Sequence, residues 1–359
     1  MSKEGALHLR ISATLYGFGH VGREFVRMLH RKRDMLEREF GLDVALTAVV
    51  TSRGGITNEA GLDLSDLALY AEHGGPFSQF PGFRPSDPED MDLWLPKASE
   101  QCRVVVDASA SDLLTGEPAL SRLKRAAAAG CHIITLNKAP LVADFPGLTG
   151  AAEASGVVLK FSGATAAGLP TLDTAVRSLA GAEILVIEGV LNATTNYILT
   201  SMSDEGLPYS EALTRAQALG LAETDPGRDV EGLDTACKIL LLANAAMRAG
   251  KTLDDVSVQG ITQVTRRDIA HWAMEGRTLR LVGRAVRNGD DVSIEVKPTP
   301  IPNGDFLAQV RGDFKAVRFV TDIFGELTMV GGAGGPRAAS ATALKDLINL
   351  GRSVAERQG

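Results

Sequence analysis

The chain has 359 residues, enough for about two domains with cores of their own, and its 45% hydrophobic and 23% charged content is that of a globular protein, not a disordered or coiled-coil one. Its 37 basic and 44 acidic residues leave a net charge of −7, which argues against nucleic acid or an anionic membrane as the main partner. Cys102, Cys131 and Cys237 stand far apart in apolar runs, so neither a disulfide framework nor a zinc site is expected; no signal-like start or membrane-length apolar run occurs, and the expected compartment is the cytoplasm.

Alternating apolar residues from Leu7 to Tyr16 predict a buried strand that runs into the turn Gly17-Phe18-Gly19-His20-Val21-Gly22. A helix follows, with Val21, Phe25 and Leu29 on one face and Gly41 at its end. Ala45 to Ser52 reads as the next strand, giving a strand, helix, strand unit and hence a parallel pair. Five prolines between His73 and Pro96 predict a long irregular insert. Strands are expected at Arg103–Asp107, Cys131–Leu136 and Val157–Phe161, with a helix over Pro118–Ala129 closed by Gly130. Beyond about residue 170 helices give way to paired strands, Leu279–Val286 and Val292–Pro298, around an Asn288-Gly289 turn, which predicts a second, mixed or antiparallel sheet. A glycine-rich stretch, Gly331 to Gly335, precedes a final helix from about Ala338 to Leu350.

The GxGxxG turn carries weight through its context, since it leaves the first strand and opens the first helix. Missing side chains there let backbone amides approach a pyrophosphate at the positive end of the helix dipole. The second strand ends Val49-Val50-Thr51-Ser52-Arg53, without the carboxylate that usually receives the adenosine ribose. Arg53 suits a ribose 2′-phosphate, so NADP is favoured over NAD; a solvated arginine at a strand end is the competing explanation.

Apolar residues surround Lys238 on almost every face of its helix, and Asp234 lies one turn earlier on the same side. Asp-x-x-x-Lys is usually a surface ion pair, but these neighbours predict a desolvated, carboxylate-held lysine of the kind that serves acid/base work on an alcohol and its carbonyl. Glu223, Asp225, Asp229 and Glu231 crowd the preceding loop, which is either solvated charge or a receptor for a substrate ammonium. Lys138 follows the Cys131–Leu136 strand, at the carboxyl end where ligands collect in open parallel sheets. The six histidines show no HxxxH spacing, and neither a GxSxG elbow nor a Walker lysine is present.

The sequence resembles the homoserine dehydrogenase family across most of its length. The match runs through the glycine turn, Asn137-Lys138-Ala139-Pro140, the SGATAAGLP segment at 162–170, Gly189-Val190-Leu191-Asn192-Ala193-Thr194-Thr195-Asn196, Ala222-Glu223-Thr224-Asp225-Pro226 and Asp229-Val230-Glu231-Gly232-Leu233-Asp234. The resemblance implies NAD(P)-dependent interconversion of L-homoserine and L-aspartate 4-semialdehyde, toward threonine and methionine. Lys238 is then the proton carrier, Lys138 its assistant beside the nicotinamide, and Asp234 the group that orients Lys238 or the hydroxyl. Glu223 and Asp229 match substrate-binding carboxylates, and Gly220 and Thr194 lie against substrate or cofactor. Ser109 and Gly334 match cofactor contacts. A monovalent cation, Na+ or K+, is implied on the carbonyls of Ser162, Thr165, Ala167 and Leu169. The sequence departs from the pattern at Ala193, where glycine is usual, at Phe314-Lys315, where asparagine is common, at Ala338, where threonine is common, and at Ser162, where some relatives carry a carboxylate.

The expected architecture is α/β: a Rossmann-type NAD(P)-binding domain over 1–145, a catalytic and dimer-forming α+β domain over 146–330, and a segment over 331–359 returning to the nucleotide domain. A homodimer acting on a small amino-acid substrate is expected, without the regulatory ligand-binding domain of many relatives and so without threonine feedback through one. Two other readings stay open: a paralogous dehydrogenase for a different semialdehyde, and a non-catalytic NAD(P) sensor.

Overall fold

The computed structural model describes residues 8–332 and 334–358; Leu7 and Ala333 lie outside them. The chain forms two compact units, 1–164 with 335–359, and 165–334.

The first unit is built on a seven-stranded sheet of order β4-β3-β2-β1-β5-β6-β7. Its strands are β1 (Leu9–Tyr16), β2 (Leu42–Thr51), β3 (Gly54–Thr57), β4 (Arg84–Pro85), β5 (Cys102–Asp107), β6 (His132–Thr135) and β7 (Leu159–Lys160). β2, β1, β5, β6 and β7 run parallel, while β3 and β4 join antiparallel at one edge. All of β1 except Arg10 is buried, as a central strand covered on both faces must be. Helix α1 (His20–Phe40) ends at Gly41, whose left-handed φ of 65° lets its N–H reach the carbonyls of Leu36 and Glu37.

The 73–96 insert is irregular, yet it supplies β4 and a short helix ending at the buried Trp94. It is preceded by α2 (Leu64–His73), capped by the Asp63 carboxylate, which the apolar spacing does not announce because few of its side chains are buried. Further on come α3 (Ala119–Ala128) and α4 (Ala139–Ala143). The unit continues past residue 145 to Ala164 because β7 pairs with β6 and belongs to the parallel sheet.

The second unit holds a six-stranded mixed sheet of order β13-β12-β8-β10-β11-β9. Its strands are β8 (Ile184–Val190), β9 (Val256–Val258), β10 (Arg277–Asn288), β11 (Asp291–Pro302), β12 (Lys315–Thr321) and β13 (Glu326–Gly331). The β10–β11 hairpin turns where Asn288-Gly289 predicts it, with Asn288 opposite Asp291. Helices α5 (Ala193–Glu205), α6 (Tyr209–Ala218) and α7 (Leu233–Leu242) belong to this unit. The chain then returns to the first unit as α8 (Gly335–Gln358), whose Ala343, Leu344, Leu347 and Leu350 join the core formed with β1 and α1.

How α7 seats on its sheet depends on Gly283 of β10. A Cβ there would lie 2.9 Å from Thr235 Cγ2 and 3.2 Å from Ile239 Cβ, so only glycine lets the helix approach so closely. Gly283→Val is expected to destabilise the protein by about 2 kcal/mol through overpacking, lowering Tm by roughly 4–8 °C in thermal denaturation. An unchanged Tm would show that α7 has room to move.

Candidate active site

In the first unit a cleft of about 560 Å³ opens at the carboxyl ends of β1, β2 and β5. β1 and β5 are neighbours in the sheet but far apart in sequence, the switch point at which open parallel sheets bind ligands. Gly17, Phe18, Gly19, Arg53 and Ser109 line the cleft. The three glycines of the turn have different reasons to be there. A Cβ on Gly17 would fall 2.4 Å from the Ala108 carbonyl oxygen, and one on Gly22 2.0 Å from the Gly17 carbonyl oxygen, so both serve the packing of the turn itself. A Cβ on Gly19 would meet nothing within 4 Å. Gly19 is also the N-cap of α1 and gives it no side-chain cap, which leaves helix N-terminal amides for an anion. This geometry fits the pyrophosphate of a dinucleotide.

His20 begins α1 on the surface and Val21 accepts a 2.9 Å hydrogen bond from Ser340 through its carbonyl; with Gly22 they stand behind the turn, not on the cleft wall. Arg53 is exposed, in the tight turn from β2 to β3. Lys138 is the N-cap residue of α4, just after β6, and does not line this cleft.

Two arginines that the motifs do not mark shape the cleft. Arg23 donates to the carbonyls of Phe18 and Gly75 and lies 4.8 Å from the Phe18 ring centroid, fixing the wall where Phe18 and Phe77 meet at 4.3 Å. Arg122, 3% exposed, pairs with the fully buried Asp107 at 3.3 Å and with Glu89 at 2.8 Å. Its guanidinium also covers the Tyr16 ring and donates to the Ser109 hydroxyl at 2.7 Å, while that hydroxyl donates to Asp107 at 2.6 Å. A carboxylate ending a valine-rich strand is the one sequence signal that a buried cation would be needed.

The second unit brings together Lys238, Asp234, Asp229 and Thr194. Lys238 Nζ lies 2.6 Å from Asp234 Oδ2 and donates to the Leu191 carbonyl at 2.8 Å; the two side chains are 15% and 11% exposed. Asn192 joins the acids: its Nδ2 donates to Asp229 Oδ1 at 2.7 Å and to Asp234 Oδ2 at 2.9 Å, while its Oδ1 caps α5 by accepting from Thr195 N–H. Thr194 Oγ1 lies 2.9 Å from Asp229 Oδ2 and 2.8 Å from the Leu221 carbonyl oxygen, tying α5 to the loop after α6. That loop carries Gly220, in the left-handed region at φ 70°, and Glu223, whose side chain is exposed. The acidic loop therefore divides: Asp229 is half-buried and held, whereas Glu223, Asp225 and Glu231 face solvent. Gly334 is exposed, just ahead of α8.

Lys315, at the start of β12, is a second buried lysine. Its Nζ donates to the Ala166 carbonyl at 2.8 Å, and burial, followed by the Lys238 charge, pushes its pKa down to about 8, so the ammonium still prevails at neutral pH. Ser162 lies in the first unit, where its N–H and hydroxyl donate to the buried Asp346 at 3.1 and 2.9 Å. Among the described residues no group of three or more His, Cys, Asp and Glu side chains is disposed to hold a metal ion.

A family model described as homoserine dehydrogenase matches residues 170–348. A homoserine dehydrogenase from Methanocaldococcus jannaschii is 34% identical over 340 residues, covering 95% of this chain and 98% of that protein. An NAD(+)-dependent homoserine dehydrogenase from Pseudomonas canavaninivorans is 32% identical, covering 96% of this chain and 97% of its own length. Among solved structures, a hyperthermophilic archaeal homoserine dehydrogenase in complex with NADPH superposes with a TM-score of 0.81 at 26% identity, covering 96% of this chain and 98% of that one.

The buried Arg122–Asp107 pair makes the cleft floor sensitive to charge. Arg122→Leu, which strands the Asp107 carboxylate, is expected to cost about 3–5 kcal/mol, and adding Asp107→Asn to recover part of it. Urea denaturation of both variants checks this; equal stability of the two would show that the ion pair does not hold the floor.

Proposed function

This chain belongs to the homoserine dehydrogenase family, and we propose that it interconverts L-homoserine and L-aspartate 4-semialdehyde, with NADP preferred over NAD. The observation that carries this reading is the Lys238–Asp234 pair at 2.6 Å, joined through Asn192 to Asp229. When bound, the nicotinamide supplies a hydride acceptor or donor. Oxidation of the alcohol also releases its hydroxyl proton, which Lys238 takes as the amine; reduction of the aldehyde needs that proton back, from the ammonium.

Among the described residues Lys238 spends two of its donors on Asp234 and Leu191, leaving its third N–H direction for the substrate oxygen. Asp234 holds the nitrogen in place through its 2.6 Å contact. Asp229 and the exposed Glu223 receive the substrate ammonium, with Thr194 and Gly220 beside it. On the first unit, the Gly17–Gly22 turn and Ser109 hold the dinucleotide, Lys138 stands at the nicotinamide and assists proton transfer, and Gly334 makes a late contact. Arg53, exposed on the cleft wall, receives the 2′-phosphate.

The chain is read as a homodimer, supported by exposed apolar side chains around the β12–β13 hairpin, Ile323, Phe324, Leu327 and Val330. Three buried cysteines, none of them in a disulfide, support a reducing compartment such as the cytoplasm. No described helix is long and apolar enough to cross a membrane.

Steady-state assays with L-homoserine and each cofactor test the reading. Lys238→Ala is expected to lower kcat by about 10²–10⁴-fold while the protein stays folded by circular dichroism; near wild-type turnover would remove Lys238 from the proton path, and wild-type inactivity on homoserine but not on another semialdehyde or amino alcohol would move the assignment to a paralogous dehydrogenase. Arg53→Ala is expected to raise KM for NADP about 10- to 100-fold, the worth of one charge-assisted contact, and to leave NAD nearly unaffected. Equal effects on both cofactors would contradict the 2′-phosphate role.

A further inference from the structure

The turn that follows Thr165 is tightly determined. The Thr165 hydroxyl lies 2.9 Å from that of Thr171, and both residues are fully buried. Ala167 adopts a φ of 50°, the left-handed region that a residue with a Cβ rarely enters unless its surroundings compel it. Leu169 is packed so closely on Gly332 that a Cβ on that glycine would come within 2.7 Å of Leu169 N. Into this turn β12 delivers Lys315, 4% exposed, with Nζ 2.8 Å from the Ala166 carbonyl oxygen. The root of that side chain is fixed from both sides, by Gly331 opposite Lys315 in β13 and by the Phe314 carbonyl, which accepts from Asn196.

A lysine buried on a backbone carbonyl places one positive charge where an alkali cation would: here against the Ala166 carbonyl oxygen, between the implied ligand residues Thr165 and Ala167. We infer that the Lys315 ammonium is a tethered cation for the Thr165–Leu169 turn, used by this chain in place of the free Na+ or K+ that its family resemblance implies. The residues present do not suit a free ion as well. The ligand position that can carry a carboxylate is Ser162, a neutral hydroxyl committed to Asp346. A free cation near Ala166 would also be repelled by Lys315 and by Lys238, whose charges already act on one another, with Asp234 and Asp313 the anions nearby. The two departures from the family pattern thus compensate: one position gives up a site for negative charge and another brings in a positive one. The turn and the Lys238–Asp234 pair then share an electrostatic environment that does not vary with the salt supplied.

Thermal unfolding of the full chain in NaCl, KCl and choline chloride at equal ionic strength tests this, and because it uses neither substrate nor cofactor it stands or falls separately from the dehydrogenase reading. The wild type is expected to show the same Tm in all three salts. Lys315→Asn is expected to have a lower Tm in choline chloride and to regain about 5 °C, saturably, with Na+ or K+. Lys315→Arg, which keeps the charge, is expected to retain the wild-type indifference. A wild type that is saturably stabilised by Na+ or K+ over choline would overturn the inference, as would a folded Lys315→Asn that ignores the ions. Should Lys315→Asn fail to fold in any salt, the wild-type and Lys315→Arg measurements decide by the same criterion.

Discussion

The ammonium of Lys238 is the charge around which the second unit is organised. Taking it largely out of water costs several kcal/mol unless its donors are answered, and the answers come from Asp234 one turn back and from the Leu191 carbonyl at the end of β8. Asp234 in turn needs company, because Asp229 lies close enough to share one amide with it. The Asn192 side chain supplies two donors in that gap while its oxygen starts α5. The start of α5, the start of α7, the end of β8 and the loop at 220–223 are therefore one hydrogen-bonded structure. A member lost anywhere strands a polar group elsewhere, which keeps the lysine in one place.

The first unit solves the opposite electrostatic problem. A dinucleotide brings negative charge, and the cleft meets it with backbone amides at the start of α1 and with arginines on or behind its wall. Asp107, fully buried at the end of β5, is neutralised by Arg122 and kept busy by Ser109 and Thr135, so it does not repel phosphates. The Lys238–Asp234–Asp229 cluster and the glycine-turn cleft thus belong to different units.

What the sequence makes legible is what acts locally. The glycine turn, the Asp234–Lys238 spacing and the Asn288-Gly289 hairpin are readable because each depends on residues a few positions apart, and all three form as their patterns predict. Asn192, Arg122 and Lys315 are not readable that way. Asn192 reaches residues 37 and 42 positions away, and Lys315 reaches one 149 positions away, so no periodicity foreshadows them. Arg122 sits in an alanine-rich helix, and although Asp107 at the end of a valine-rich strand signals the need for a cation, only the fold shows which one reaches it. The division of the acidic loop is hidden for the same reason, since Asp229 differs from Glu223 and Asp225 only in having Asn192 and Thr194 within reach.

Helix α8 completes the core of the first unit, yet in the chain it comes after the whole of the second. During synthesis β1 and α1 leave the ribosome with the Leu344, Leu347 and Leu350 face of their core still unmade. At about 5–20 residues per second the intervening 165–334 stretch takes on the order of 10–30 s to translate. Through that interval an apolar surface is open to passing chains, so the order of the fold in time makes the nucleotide-binding half, the first to be made, the last to be finished.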